Sequence, residues 1–263
     1  MLFAALLLGI IEGLTEFLPI SSTGHLILLG ELIGFKGPPG RVFEISIQLG
    51  AILAVVIIYR RQLVDLALHC WRPGPQRYYV TNLLLAFLPA AVLGATLHKI
   101  ITEVLFNPWV VSFALILGGI AIVVIERRRP PPNINSVPEM GPLAALLIGF
   151  GQALAMIPGT SRSGATIITA LLVGVERKTA AEFSFILAIP TMLAATAYSL
   201  YKSRAELALD GAGQIVIGFA AAFVVAFLVV RWLLGVVGRI GFAPFGWYRI
   251  GLGSLMLAWL TLR

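Results

Sequence analysis

Two short stretches place chemically capable side chains inside runs otherwise as apolar as lipid: EGLTEFLPISSTGH, Glu12 to His25, and IPGTSRSGAT, Ile157 to Thr166. Glu12 and Glu16 are one helical turn apart, so on a helix they share a face. Such a pair can hold one hard divalent cation, magnesium or calcium, through oxygen ligands and water. Ser22 and His25 lie three residues apart, and a helix starting between them turns both into one space, as a nucleophile with an acid/base partner. In the second stretch Arg162 stands between Ser161 and Ser163, and its planar fork suits phosphate oxygens. Thr166, four residues on, falls on the same helical side. Ionisable residues within membrane-spanning runs are functional candidates by default.

The elements that position these groups must be broken. Residues 1 to 34 as one helix would be about 50 Å long at ~1.5 Å per residue, against a hydrocarbon core of ~30 Å. The sequence interrupts itself at LPISSTGH and again at IPGTSRSGA, each with a proline, hydroxyls and a glycine. Non-helical backbone at membrane depth survives only buried in protein or lining a wet cavity, so both breaks predict a polar cavity. A half-helix starting near Ser21 or Ser22 presents the N–H groups of Ser22, Thr23 and Gly24, and a second does the same near Ser161 to Ser163. Two such N-termini aimed at each other would bind a large anion such as a pyrophosphate.

Composition sets the class. Of 263 residues, 59% are hydrophobic and 12% charged, with a mean hydropathy of +0.97, which excludes a soluble globular domain and implies a polytopic membrane protein. The opening MLFAALLLGIIEG lacks a basic leading region and runs into the acidic pair, so it is expected to stay in the mature chain. A lone cysteine, Cys70, cannot form an internal disulfide. The net charge of +7 resides in short loops between apolar runs, where the positive-inside rule accounts for it and no nucleic-acid partner is needed. His69 and His98, expected in loops, are assigned nothing, and Glu44, Gln48 and Glu182 are given structural roles at span starts.

A shift of 140 residues lays AALLLG (4 to 9) on AALLIG (144 to 149) and then pairs Ser21 with Ser161, Gly24 with Gly164 and Gly34 with Gly174. This predicts two homologous halves, 1 to 130 and 138 to 263, joined by the linker ERRRPPPNINSVPEMGP. Apolar runs near 43 to 59, 80 to 97, 108 to 125, 181 to 200, 213 to 234 and 246 to 262 supply three spans per half. If each leading segment enters and leaves by the same face, the halves are oppositely oriented. One side then carries Arg60, Arg61, Arg72, Arg77, Arg127, Arg128, Arg129, Arg177, Lys178, Arg231 and Arg239, against Lys36, Arg41, Lys99, Lys202, Arg204 and Arg263 on the other. Eleven against six marks the first side as cytoplasmic. The expected fold is therefore an all-α integral membrane protein, an inverted-topology repeat with six spanning helices and two re-entrant helix pairs meeting near the midplane.

The stretches EGLTEFLPISSTGH and PGTSRSGAT, with FEISIQLGAILAVV and AAEFSFILAIP, resemble the signature segments of the undecaprenyl-diphosphate phosphatase family of the bacitracin-resistance type, over almost the whole chain. The resemblance implies a bacterial plasma (inner) membrane hydrolase, its site toward the outer face, that removes the terminal phosphate of undecaprenyl diphosphate and regenerates the carrier for wall polymers. It implies a divalent cation, a polyprenyl diphosphate substrate on which bacitracin acts, and surrounding membrane lipid; a homodimer is compatible with it. Carried over by motif, Glu12 and Glu16 become the acidic pair, Ser22 the nucleophile, His25 its acid/base partner, and Ser161 with Arg162 the pyrophosphate holders. Attack by a metal-bound water, with Ser22 only touching phosphate, stays open. The rival class is an inverted-repeat secondary transporter or lipid flippase, which would not require Ser22 and His25 beside two carboxylates. A phosphatidate-type lipid phosphatase is excluded, because no histidine is followed four residues later by aspartate.

Overall fold

The computed structural model of the protein describes residues 1–35, 42–100, 104–105, 107–202 and 211–262. Of the residues expected on the less basic side, Lys36, Arg41, Arg204 and Arg263 fall outside the described residues. The described residues form eleven α-helices: α1 (Leu2–Thr15), α2 (Ser22–Ile33), α3 (Val42–Ile58), α4 (Arg60–His69), α5 (Pro75–Ile100), α6 (Pro108–Arg128), α7 (Pro142–Leu154), α8 (Arg162–Leu172), α9 (Arg177–Lys202), α10 (Ala212–Ile240) and α11 (Ala243–Leu262). A short 3₁₀ turn, Val137–Glu139, and an isolated parallel bridge between Ile134 and Val175 complete the linker region.

Four stretches are long and apolar enough to cross a membrane: Pro75–Leu97, Pro108–Arg128, Arg177–Tyr201 and Ala212–Ile240. The pair α3 and α4 would make a fifth, bent by 73°. The chain is thus a multi-pass, all-helical membrane protein. Helix α4 is an addition to the sequence reading, which expected His69 and Cys70 in a loop. Its RRQLVDLALH sequence is too polar to register as an apolar run, but it folds back at Tyr59 and buries Leu66. His69 closes that helix, its Nδ1 2.9 Å from Asp65, and Cys70 is the following residue.

The short leading helices are held by close packing against longer ones. Helix α1 runs along α10 in the same direction: Leu2 lies beside Gly213, Gly9 beside Gly218 and Gly13 beside Ala222 and Ala226. A Cβ at Gly9 would collide with the Gly218 carbonyl oxygen, and one at Gly13 would come within 2.7 Å of the Ala222 carbonyl oxygen, so glycine sets the interhelical distance. Helix α7 packs on α5 in the corresponding way, with Gly149 against Ala86 and Pro89. Helices α6 and α11 pack together, with Gly118 and Gly119 on one facing Gly246 and Arg249 on the other.

One end of the molecule is knit by polar contacts. Arg177 donates to Glu126 and to the Gly238 carbonyl at 3.3 Å, while the Phe242 amide donates to Glu126 at 3.4 Å. These bonds gather the C-terminal ends of α6 and α10 with the start of α9. Asn82 near the start of α5 donates to the carbonyls of Val137 and Met140, at 3.0 and 2.9 Å, which brings the linker to this end as well. Arg127, Arg128, Arg129, Arg177, Lys178 and Arg239 belong to these segments.

Candidate active site

Both predicted breaks exist, and they share one local geometry. Helix α1 ends at Thr15 and α2 begins at Ser22; α7 ends at Leu154 and α8 begins at Arg162. Ser21 and Ser161 are the N-caps, and each hydroxyl accepts from the amide three residues on, Gly24 at 3.4 Å and Gly164 at 3.1 Å. Among the described residues they are the two non-glycine residues with positive φ, 71° and 73°. Such backbone costs on the order of 1–3 kcal/mol and persists where surrounding contacts over-determine it.

The over-determining contact is Arg249 of α11, fully buried. Its guanidinium donates to five backbone carbonyls: Pro19 at 3.4 Å in the first turn, Gly159 at 3.0 Å and Thr160 at 2.8 Å in the second, and Ala114 and Leu115 of α6 at 2.9 and 3.3 Å. A Cβ at Gly118 would overlap this group and one at Gly164 would come within 3.1 Å of it, so these glycines leave its space. The two turns are further joined by Ser163, whose hydroxyl donates to the Leu18 carbonyl at 2.8 Å and lies 3.1 Å from the Ser161 hydroxyl.

On this frame the predicted residues divide into three groups. Glu16, Ser22 and Arg162 meet. Ser22 Oγ donates to Glu16 Oε2 at 2.6 Å, and Arg162 Nη2 donates to Glu16 Oε1 at 3.0 Å. Arg162 also donates to the Ser184 carbonyl at 3.0 Å and the Met192 sulfur at 3.3 Å, and its guanidinium carbon sits 5.4 Å from the centre of the Phe17 ring. Phe17 is in turn braced edge-on by Phe185, at 5.5 Å between centroids.

Glu12 is buried one turn from Glu16, and its Oε2 has no hydrogen-bond partner. Arg162 Nε is also buried and unpartnered. A carboxyl oxygen and a guanidinium nitrogen left without partners in one buried neighbourhood is an arrangement that a bound cation and a bound anion would complete. The hydrogen bonds of His25 go elsewhere than Ser22: its Nδ1 lies 2.7 Å from the Ser21 carbonyl oxygen and its Nε2 2.7 Å from the Tyr248 hydroxyl.

The hydrogen bonds of Thr166 go to α8 and α9 rather than to the carboxylates. Its hydroxyl donates toward the carbonyls of Arg162 and Ser163 and lies 2.6 Å from the Ser184 hydroxyl, which buttresses the start of α8. Thr23 and Gly24 occupy the first turn of α2, with Gly24 against Val111 and Leu115. The carboxylates expected to bind metal are two in number; no cluster of three or more His, Cys, Asp or Glu occurs among the described residues. Phosphate oxygens and water would have to complete any hexacoordinate cation there.

Sequence reasoning missed Tyr248 and Arg249. The available signal was Arg249 itself, an ionisable residue inside the apolar run 246 to 262.

Comparison with known proteins shows the family of the chain. A family model described as Bacitracin resistance protein BacA matches residues 5–255. The chain is 55% identical to Undecaprenyl-diphosphatase 2 of Paramagnetospirillum magneticum, over 98% of this chain and 99% of that protein. It is 53% identical to Undecaprenyl-diphosphatase of Parvibaculum lavamentivorans, over 98% and 96%, and 53% identical to the protein of the same name in Sphingopyxis alaskensis, over 97% of each.

Proposed function

The chain belongs to the bacitracin resistance protein BacA family, and on that premise we propose that it hydrolyses undecaprenyl diphosphate to undecaprenyl phosphate and inorganic phosphate, recycling a lipid carrier for wall-polymer synthesis. The observation that carries the reading is the meeting of Glu16, Ser22 and Arg162 where the two helix breaks touch. Transport of an anion has no use for a serine hydroxyl bonded to a carboxylate beside an arginine.

The membrane arrangement that best supports this reading is six spans, α3, α5, α6, α9, α10 and α11, with α1–α2 and α7–α8 as re-entrant pairs in two homologous halves, 1 to 130 and 138 to 263. Several contacts favour it. Gly13, just before the first break, sits beside Ala222 and Ala226, midway along the 29-residue α10. Gln152, just before the second, donates to the Ala86 carbonyl, midway along the 26-residue α5. After α8 the chain returns to the linker through the Ile134–Val175 bridge, the region from which α7 departed. The basic end carrying Arg127, Arg128, Arg129, Arg177, Lys178 and Arg239 is then cytoplasmic, and α1–α2 opens toward the outer face of the bacterial plasma membrane.

In this scheme the prenyl tail stays in lipid while the diphosphate meets Arg162, the amides at the starts of α2 and α8, and Ser161 and Ser163. The unpartnered Oε2 of Glu12 and the facing Glu16 fit a hard divalent cation, magnesium or calcium. Such a cation, when bound, would offset repulsion between carboxylates and phosphates and polarise phosphoryl oxygens. Glu16 takes the proton that Ser22 Oγ already directs at it, as that oxygen attacks the terminal phosphorus and the bond to the bridging oxygen breaks. Undecaprenyl phosphate leaves, and water then cleaves the phosphoserine with His25 as its proton acceptor.

The test is phosphate release from a polyprenyl diphosphate by purified protein in detergent, with and without chelator, alongside Ser22→Ala, His25→Ala and Arg162→Ala. Release abolished by chelator and lowered at least a hundredfold, to a measurable residue, by each of the three substitutions supports the reading. Absence of release by a folded wild-type sample refutes it.

A further inference from the structure

We propose that Tyr248 is a positioning residue for the reaction, holding the ring plane of His25 in the tautomer that the Ser21 carbonyl sets; this rests on the acid/base role given to His25 above. A carbonyl oxygen only accepts, so the 2.7 Å contact from Nδ1 to the Ser21 carbonyl requires the imidazole proton on Nδ1. Nε2 of the neutral ring then carries the lone pair and accepts from the Tyr248 hydroxyl at 2.7 Å. The two rings are parallel to within 1°, with centroids 5.6 Å apart. The imidazole is therefore held at both nitrogens, with its lone pair at Nε2, where the phenol keeps it aimed until water takes over that contact for the proton transfer.

Two observations separate this from ordinary packing. The Tyr248 hydroxyl is directed at a histidine 223 residues away in sequence, at 2.7 Å. Its neighbour Arg249 is bonded to carbonyls of both turns, so the helix carrying the phenol is located by the same backbone that carries Ser21 and Ser22. The Ser21 carbonyl, in turn, is aimed by the positive φ of that residue. Tyr248, Arg249 and Ser21 thus form one assembly that presents a single imidazole tautomer.

The test uses full-length protein in detergent and Tyr248→Phe, which keeps the stacked ring and removes only the hydroxyl. Loss of one hydrogen bond to the acting imidazole is expected to lower kcat about tenfold with KM within about twofold. In a His25→Ala background the same substitution should cost nothing further, because its effect passes through the absent ring. Imidazole nitrogen NMR, with His25 identified by its loss in His25→Ala, should show wild-type protein protonated at Nδ1 and bare at Nε2, with the Nε2 signal displaced in Tyr248→Phe. Wild-type kcat in Tyr248→Phe, an equal loss in both backgrounds, or a proton on Nε2 in the wild type overturns the proposal while leaving the hydrolase reading intact. An unimpaired His25→Ala removes the acid/base role of His25 and this proposal with it.

Discussion

Arg162 and Glu16, 146 residues apart in the chain, form a 3.0 Å ion pair between side chains that are 12% and 7% exposed. It joins the start of α8 to the turn after α1, and the acceptor carboxylate also holds Ser22. Breaking such a pair from one side strands a buried charge, at a cost of about 3–5 kcal/mol. Arg162→Ala is expected to lower stability by about that amount and to reduce phosphate release at least a hundredfold. Denaturation in detergent and steady-state assay check the two effects separately.

Glu12 gives a metal prediction that does not depend on turnover. A cation that binds the native protein at a hundred times its Kd stabilises it by about 2.7 kcal/mol. Adding magnesium or calcium should raise the melting temperature of the wild-type protein, and Glu12→Gln should abolish most of that rise. An unchanged rise in Glu12→Gln would place the cation elsewhere.

The 2.6 Å bond from Ser22 Oγ to Glu16 predicts a covalent phosphoserine. Acid quenching during turnover of a substrate labelled on its terminal phosphate should leave label on Ser22, and Ser22→Ala should leave none. Retained turnover by Ser22→Ala would instead assign the attack to water.

Arg249→Met removes a donor from five carbonyls; those of Ala114 and Leu115 keep their bonds within α6, while those of Pro19, Gly159 and Thr160 in the two turns cost roughly 1–3 kcal/mol each when left unsatisfied. The substitution should destabilise the protein by at least about 3 kcal/mol. Arg249→Lys, with three donors, should fall between the two. Melting temperatures of the three proteins give the order.

Gly9 and Gly13 fix the approach of α1 to α10. Gly9→Val forces a branched side chain onto the Gly218 carbonyl and should cost about 1–3 kcal/mol through overpacking. Because α1 carries Glu12 and leads directly into Glu16, activity should fall more than stability does, which assay and unfolding midpoint can compare.

Much of the site was legible because membrane depth makes polarity conspicuous. Glu12, Glu16, Ser22 and Arg162 stand out from apolar neighbours, and proline with glycine marks where each helix must stop. Helix starts near Ser21 or Ser22 and near Ser161 followed from the same reasoning, but not the caps by which Ser21 and Ser161 take up the Gly24 and Gly164 amides. Tyr248 and Arg249 were not found because a Trp-Tyr-Arg run at the start of a span is ordinary interfacial chemistry, and nothing in its periodicity says the arginine turns inward. The Ser22–His25 spacing brought both residues to one turn of α2, but the imidazole's hydrogen bonds go to the Ser21 carbonyl and to a phenol on the last helix. Such a contact is purely tertiary and leaves no local trace. Helix α4 escaped for the opposite reason, having too few apolar residues to form a run.

The packing of α1 on α10 also orders events during synthesis. Gly13 must wait for Ala222 and Ala226, about 200 residues later, before its face is covered. At ~5–20 residues per second that is roughly ten to forty seconds of translation. Through that interval α1 can lean on α2 and α3, and Glu16 can pair with Ser22 and later Arg162, but the face that carries Gly9 and Gly13 stays uncovered, so the first-made helix of the catalytic machinery is among the last to be fully seated. Truncation anywhere before α10 therefore leaves α1 without its longest neighbour, and a nascent chain stalled there should be a substrate for membrane quality control rather than a slow enzyme.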